Sequence, residues 1–308
     1  MSGFLAGVAQ RSGVDFRQAG FFVGTSAGSV VAARLAAGVP PRRPGESAGP
    51  AGPAGPAGSA GPAGSARLTG PAPAGPVSAG AVRPPPGRFG RLPLAAALPV
   101  ADAALRAARP GRAFARAALL ARLPPGHLPL DGLRARIAEL GPRFDGRLRV
   151  VAVDLRGGNR VVFGAAGGPD AEVADAVAAS CAVPGLFRPV RIGSRDYVDG
   201  GVWSPTNLDV APVRAGSRML CLVPTAALAV GPASGARALA RGWQVATAIE
   251  AAGARRRGAK VTIVEPDAGA GAAMGADLMD ERRREQVTAL AFAQGQGAVP
   301  ADGPPGPW

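Results

Sequence analysis

The sequence predicts an α/β fold in which helices pack against a sheet. Short apolar runs that suit buried strands, such as 148–155, alternate with longer helical stretches such as 236–256. With 308 residues and a hydrophobic fraction of 47%, the chain is long and apolar enough to build one large core. Glycine and proline are unevenly distributed, since residues 45–87 hold 21 of the 78, and the other 265 residues are ample for one large core.

The predicted elements begin with a short helix over 3–12 and a strand at 20–23. A helix over 29–37 follows and ends at Gly38, with prolines just beyond it. We expect Asp170 to cap a later helix. The remaining predicted helices are 94–123, 131–140, 170–179, 236–256 and 280–292, and the remaining strands are 148–155, 160–163, 190–192, 197–198, 219–223 and 261–264.

A glycine- and proline-rich segment interrupts this pattern between 44 and 87. Glycine recurs there at every third position from 49 to 64, and these six triplets are too few for a collagen triple helix. We therefore expect a disordered insert without chemistry of its own. The chain then divides into an N-terminal part of the domain (1–43), the insert (44–87), the remainder of the same domain (88–296) with an Arg-rich helical cap (92–149), and a disordered tail (297–308).

Residue counts exclude several classes of site. Two cysteines and a single histidine, His127, cannot form a disulfide scaffold, a cysteine zinc site or a site with two imidazoles. Residues 1–16 lack the basic and apolar regions of a signal peptide. The apolar stretch 219–236 is interrupted by two prolines, which argues against a membrane span. We expect a cytoplasmic protein.

The positive charge is concentrated in one region. Residues 83–149 hold 13 arginines and four acidic residues, which accounts for nine of the net +14. No aromatic residues interleave with these arginines in the manner of a nucleic-acid surface, so we expect no nucleic-acid partner. Arginines at 106, 109, 112, 116 and 122 recur at nearly helical spacing. They either attract the anionic inner face of the membrane as a peripheral contact or form a solvated face, and the second interpretation is favoured.

A possible nucleophile lies between the first strand and the second helix. Gly24-Thr25-Ser26-Ala27-Gly28 is a G-x-S-x-G sequence in the strand-turn-helix context that this motif requires. We expect both glycines to be needed because side chains there would clash with strand and helix. The helix N-terminus and the Ala27 N–H are placed to stabilise negative charge developing at Ser26.

A serine nucleophile needs a base, and the histidine is poorly suited to that role. His127 lies in a Pro- and Gly-rich loop, and a single histidine in such a loop is more often a solvated polar residue than a catalytic one. The best carboxylate is Asp199, which follows a short strand and precedes Gly200 and Gly201. Asp199 could alternatively be a simple turn residue. Cys181 also has no histidine partner and is expected to be a buried apolar residue.

Three separated motifs resemble the patatin-like phospholipases of bacteria. They are the sequence around Ser26, the run 179–187 with Pro184, which is similar to the family's A-S-x-A-x-P-x-x-F segment, and Asp199-Gly200-Gly201 followed by Asn207. The resemblance implies a three-layer α/β/α sandwich with a mainly parallel sheet. It further implies a Ser26 nucleophile, an Asp199 base and an acyl-enzyme intermediate, with no metal or organic cofactor.

The resemblance also implies an N-terminal strand and a glycine-rich oxyanion loop, which these residues do not contain. The chain opens at Met1-Ser2-Gly3-Phe4, within the helix that should follow that loop. We expect the missing piece to be encoded upstream of Met1. The predicted function is lipid degradation by a serine esterase that hydrolyses acyl esters of phospholipids, lysophospholipids or other lipids. The alternative is an impaired pseudoenzyme whose Arg-rich segment binds anionic lipid or another acidic partner.

Overall fold

The computed structural model describes residues 1–46, 113–124, 126–229, 234–275 and 280–299. The predicted insert lies outside these residues from position 47 onwards. Residues 88–112, which include the first part of the predicted cap, and residues 300–308 of the predicted tail also lie outside them.

Helices and strands are interspersed along the described chain, which confirms the α/β class. The helices are α1 Ser2–Ser12, α2 Ala27–Ala36, α3 Ala113–Leu120, α4 Asp131–Ala138, α5 Val173–Ser180, α6 Ser234–Arg256, α7 Ala268–Met274 and α8 Arg284–Gly297. The strands are β1 Phe22–Thr25, β2 Leu148–Asp154, β3 Arg160–Phe163, β4 Val190–Ile192, β5 Arg195–Asp199, β6 Arg218–Leu222 and β7 Lys260–Val264. The expected cap at Asp170 is wrong, because extended backbone at Glu172 (φ −69°, ψ 145°) separates Asp170 from the start of α5.

The central sheet is organised around β2. Strand β3 pairs antiparallel with one edge of β2, over residues 150–153. Strand β1 pairs in parallel with the opposite edge over 148–151, and β5 pairs antiparallel further along that same edge over 152–154. Strands β1 and β5 therefore run towards each other, and their last residues, Thr25 and Asp199, lie opposite the adjacent residues Val151 and Ala152.

The strand directions correct the expectation of a mainly parallel sheet. Among the described strands, β1–β2 and the separate pair β6–β7 are parallel, whereas β2–β3, β2–β5 and β4–β5 are antiparallel. The connections 155–159 and 193–194 are too short for a crossover, so the strands that they join must pair antiparallel.

Helices cover both faces of β2. Val150 and Ala152 are buried in a cluster with residues of α2 and α5. Val153, the next residue along β2, faces the other way and is buried with Leu120 of α3. This alternation confirms three layers, because successive side chains of a strand point to opposite faces of the sheet. Strands β6 and β7 pack with α6 and with Val23 of β1 in a further cluster.

Candidate active site

Ser26 occupies a strained turn between β1 and α2. Its backbone has φ 51° and ψ −129°, a conformation that residues other than glycine rarely adopt. The turn is also tight, since a Cβ added at Gly24 would lie 2.3 Å from Ser29 Cα. The expectation for Gly28 is wrong, because a Cβ there would meet no described atom within 4 Å. Because Gly28 lies in the first turn of α2, a Cβ there would point away from β1.

The strained turn is anchored by Ser180, which lies at the end of α5. The Ser26 N–H donates to Ser180 Oγ at 2.9 Å, and Ser180 Oγ donates in turn to the carbonyl of Val151 at 2.7 Å. Ser180 is fully buried. Sequence reasoning included this serine in the segment 179–187 but assigned it no role, since nothing local indicates a contact that spans half the chain.

Asp199 ends β5 and is almost completely buried. Its Oδ1 accepts the Gly201 N–H at 2.7 Å, while its Oδ2 has no hydrogen-bond partner in the described part of the chain. Burial raises the pKa of Asp199 to about 6, although the nearby Ser26 hydroxyl and the Gly201 N–H act to lower it. The structure thus brings Ser26 and Asp199 together and leaves one carboxylate oxygen available to take a proton.

The glycines after Asp199 permit a close approach of two strands. A Cβ at Gly200 would lie 2.4 Å from the carbonyl oxygen of Val151, which would force the D-G-G turn away from β2. A Cβ at Gly201 would lie 3.0 Å from Asp199 Oδ1 and would crowd the carboxylate. Both residues are therefore needed for the position of Asp199.

Asn207 links the two motifs. It is fully buried and adopts a left-handed backbone with φ 47°. Its Nδ2 donates to Thr25 Oγ1 at 3.1 Å, to the Gly200 carbonyl at 3.3 Å and to the Ser204 carbonyl at 2.7 Å. Thr25 precedes Ser26 and Gly200 follows Asp199, so this one amide holds both sides of the candidate site.

Two arginines pack on the aromatic residue that follows the D-G-G turn. The Arg116 guanidinium lies 4.1 Å and that of Arg160 lies 5.1 Å from the centroid of the Trp203 ring. Arg160 also binds both carboxylate oxygens of Asp209, at 2.7 and 2.8 Å, and donates to Asn207 Oδ1 at 3.3 Å. These contacts fix the orientation of the Asn207 amide.

Arg116 departs from both expectations for the arginine face, and the correction applies to this residue alone. Arg116 is fully buried, and its Nη1 donates to the Gly158 carbonyl at 2.6 Å. It is therefore neither solvated nor free to contact a membrane. Arginines 106, 109 and 112 lie outside the described residues, and Arg122 is exposed.

The other predicted candidates lie around the site in different roles. Ala27 is the exposed first residue of α2, so its N–H has no acceptor within the helix. Pro184 lies in the turn after α5, where the N–H groups of Leu186 and Phe187 donate to the Val183 carbonyl. His127 is exposed in the loop beside that turn, and its backbone N–H donates to the Leu186 carbonyl.

Cys181 is close to the candidate site but is not activated. Its Sγ lies 3.8 Å from Ser29 Oγ. Burial of the thiol and the negative charge of Asp199 raise the pKa of Cys181 to about 12, although the residue as a whole is only half-buried. The reactive thiolate is therefore disfavoured at neutral pH. No cluster of three or more His, Cys, Asp or Glu side chains suited to a metal occurs in the described residues.

Comparison with known families supports the resemblance drawn from the motifs. Residues 84–212 match the family model for patatin-like phospholipases. The match spans 129 of the 308 residues, and over this part the chain is similar to patatin-like phospholipases. The matched range includes Ser180, Pro184, Asp199 and Asn207, while Ser26 precedes it. Patatin-like proteins are lipid acyl hydrolases, and the match supports a function of that general kind.

A search for relatives and the helices themselves add two further observations. No curated protein matches the chain. Within the residues that the structure describes, no helix has both the length and the apolar character needed to cross a bilayer.

Proposed function

We propose that this patatin-like domain is a serine acyl hydrolase that cleaves ester bonds of phospholipids, lysophospholipids or related lipids. The observation that carries the proposal is the pairing of a strained, partly exposed Ser26 with a buried Asp199 whose Oδ2 has no partner in the described structure. A base must lie close to the proton that it removes, and such contacts often tighten only when substrate binds.

In the first half of the proposed reaction, Ser26 Oγ attacks the ester carbonyl carbon while Asp199 Oδ2 takes the hydroxyl proton. The resulting tetrahedral oxyanion is stabilised by the Ala27 N–H and the N-terminus of α2. Collapse of this intermediate breaks the ester C–O bond, and Asp199 returns the proton to the leaving alcohol. An acyl group then remains on Ser26.

In the second half, Asp199 removes a proton from water, and the hydroxide attacks the acyl-enzyme. Collapse of the second tetrahedral intermediate releases the fatty acid and restores the Ser26 hydroxyl with the proton held by Asp199. The pKa of Asp199, raised to about 6 by burial, suits both steps, because the carboxylate is ionised at neutral pH yet basic enough to accept a proton.

The location that we propose is the cytoplasm, where exposed arginines of 83–149 would meet anionic lipid at the inner face of the membrane. Arg122, Arg136 and Arg143 are exposed, which is compatible with such a contact. Equal binding to neutral and anionic vesicles would exclude it.

Hydrolysis of a short-chain p-nitrophenyl ester tests the proposal. We expect Ser26→Ala and Asp199→Asn each to reduce kcat by at least about 1000-fold, because each removes a group that takes part in bond formation. Ser194→Ala is the matched control, since Ser194 lies exposed in the turn between β4 and β5. Unchanged hydrolysis in folded Ser26→Ala protein would refute the assignment, and no hydrolysis by the folded natural chain would favour the pseudoenzyme.

A further inference from the structure

Glu250 of α6 binds both neighbours of Asn207. Its Oε2 accepts the Thr206 hydroxyl at 2.7 Å and the Leu208 backbone N–H at 2.7 Å. The carboxylate therefore holds the short loop at two points, one on each side of the buried amide. Glu250 also lies outside the residues that match the patatin-like family model.

We propose that Glu250 is a positioning residue that sets the geometry of Ser26 and Asp199 through Asn207. The proposal rests on the function proposed above and extends it to α6. In this role Glu250 neither contacts the substrate nor transfers a proton during the reaction.

The need for such a residue follows from the backbone of Asn207. A left-handed φ of 47° is uncommon outside glycine, and although asparagine tolerates it better than most residues, the surrounding bonds select this conformation over the alternatives. The carboxylate of Glu250 fixes the residues before and after this point, and Arg160 fixes the amide oxygen from the other side. Loss of the carboxylate would leave the left-handed turn without its anchor on α6.

A change in this loop would reach both halves of the site. Asn207 Nδ2 binds Thr25 Oγ1 and the Gly200 carbonyl, and these two residues adjoin Ser26 and Asp199. A displacement of the amide would alter the approach of the hydroxyl to the carboxylate. Displacements of about 1 Å can reduce the rate of a reaction by about 100-fold.

The test compares Glu250→Ala, Glu250→Gln and Thr206→Val with Ile249→Ala as the control. Ile249 is the preceding residue of α6, and 65% of it is exposed. Glutamine keeps an oxygen that can accept both bonds, alanine removes both, and Thr206→Val removes one. One readout is the rate at which a fluorophosphonate ester labels Ser26, and the other is amide hydrogen exchange across 24–27 and 206–208.

We expect Glu250→Ala to label about 10- to 100-fold more slowly than the natural chain, with Glu250→Gln and Ile249→Ala within about threefold of it. The labelling rate of Thr206→Val should lie between those of Glu250→Ala and Glu250→Gln. Exchange in Glu250→Ala should accelerate at 206–208 and also at 24–27. A role limited to packing of α6 would accelerate exchange in α6 and leave 24–27 unchanged.

The proposal is overturned if Glu250→Ala labels at the natural rate, if Glu250→Gln is as slow as Glu250→Ala, or if exchange at 24–27 does not change. If Glu250→Ala does not fold, the labelling rates and amide exchange of Thr206→Val and Glu250→Gln test the proposal in its place. Absence of labelling in the natural chain would refute the hydrolase function alone, because the exchange measurement still tests the link from Glu250 to Ser26.

Discussion

Thr25 and Asp199 are the last residues of two strands that meet end to end along one edge of β2. They lie opposite Val151 and Ala152, which are consecutive in the chain. The next residue after Thr25 is Ser26, so the meeting of the two strands places the Ser26 hydroxyl near the Asp199 carboxylate. The candidate site is therefore a consequence of strand register rather than of a flexible loop.

The rate of ester hydrolysis should depend on pH through Asp199. Its pKa is raised to about 6, mainly by burial, and only the ionised form can accept the Ser26 proton. We expect kcat/KM to be constant above about pH 7 and to fall tenfold per pH unit well below pH 6. Measurement of kcat/KM from pH 4.5 to 8.5 tests this dependence. A flat profile down to pH 5 in folded protein would contradict the assignment of Asp199 as the base.

Asp199→Asn should stabilise the protein at alkaline pH although it abolishes hydrolysis. The folded-state pKa of about 6 exceeds the ordinary 3.8, so the natural protein loses stability as the pH rises through this range and recovers none above it. Asparagine keeps an acceptor for the Gly201 N–H and carries no charge. We expect a gain of about 1–3 kcal/mol in the free energy of unfolding at pH 8.

Urea unfolding at pH 8 and at pH 4.5 measures this difference. The gain should be about a third as large at pH 4.5, because most of the natural protein's loss of stability occurs between pH 4.5 and the folded-state pKa of about 6. An equal gain at both pH values would show that the burial of charge is not its cause.

Ser180→Ala should impair the site from a distance. The substitution leaves the partly buried Ser26 N–H without its acceptor, which costs about 1–3 kcal/mol of stability. Because this bond maintains a strained backbone, hydrolysis should also fall by about tenfold or more relative to the Ser194→Ala control. Thermal unfolding and the ester assay measure the two effects. Natural activity in Ser180→Ala would show that the turn at Ser26 does not depend on this anchor.

The two motif glycines should respond differently to alanine. Gly24→Ala would place a Cβ 2.3 Å from Ser29 Cα, so strand and helix must move apart. We expect a loss of several kcal/mol or failure to fold. Gly28→Ala meets no described atom within 4 Å, and a helical alanine is favoured over glycine by about 1 kcal/mol. Urea unfolding compares the pair, and equal destabilisation would contradict the geometry of the turn.

The local parts of the site could be predicted from the sequence. Gly24 and Ser26 between a strand and a helix, and Asp199 before two glycines, are signals contained within a few adjacent residues. Their partnership with each other was inferred from the resemblance to patatin-like phospholipases, and the family match over 84–212 supports that resemblance.

The parts that depend on strand register could not be predicted. The antiparallel pairing of β5 with the edge of β2, beyond the end of β1, joins strands that are distant in the chain. The anchor from Ser180 to Ser26, the contact of Glu250 with Leu208 and the burial of Arg116 against Trp203 join residues far apart in the chain. Spacing along the sequence carries no information about such contacts, because each is set by the packing of separate elements.

Mass spectrometry of the chain after reaction with a fluorophosphonate ester tests the Ser26–Asp199 pair itself. We predict one phosphonylated peptide, modified at Ser26, with labelling abolished in Ser26→Ala, at least about 100-fold slower in Asp199→Asn and unchanged in Ser194→Ala. Labelling at another serine, or equal rates in the natural protein and Asp199→Asn, would contradict the proposed nucleophile and base.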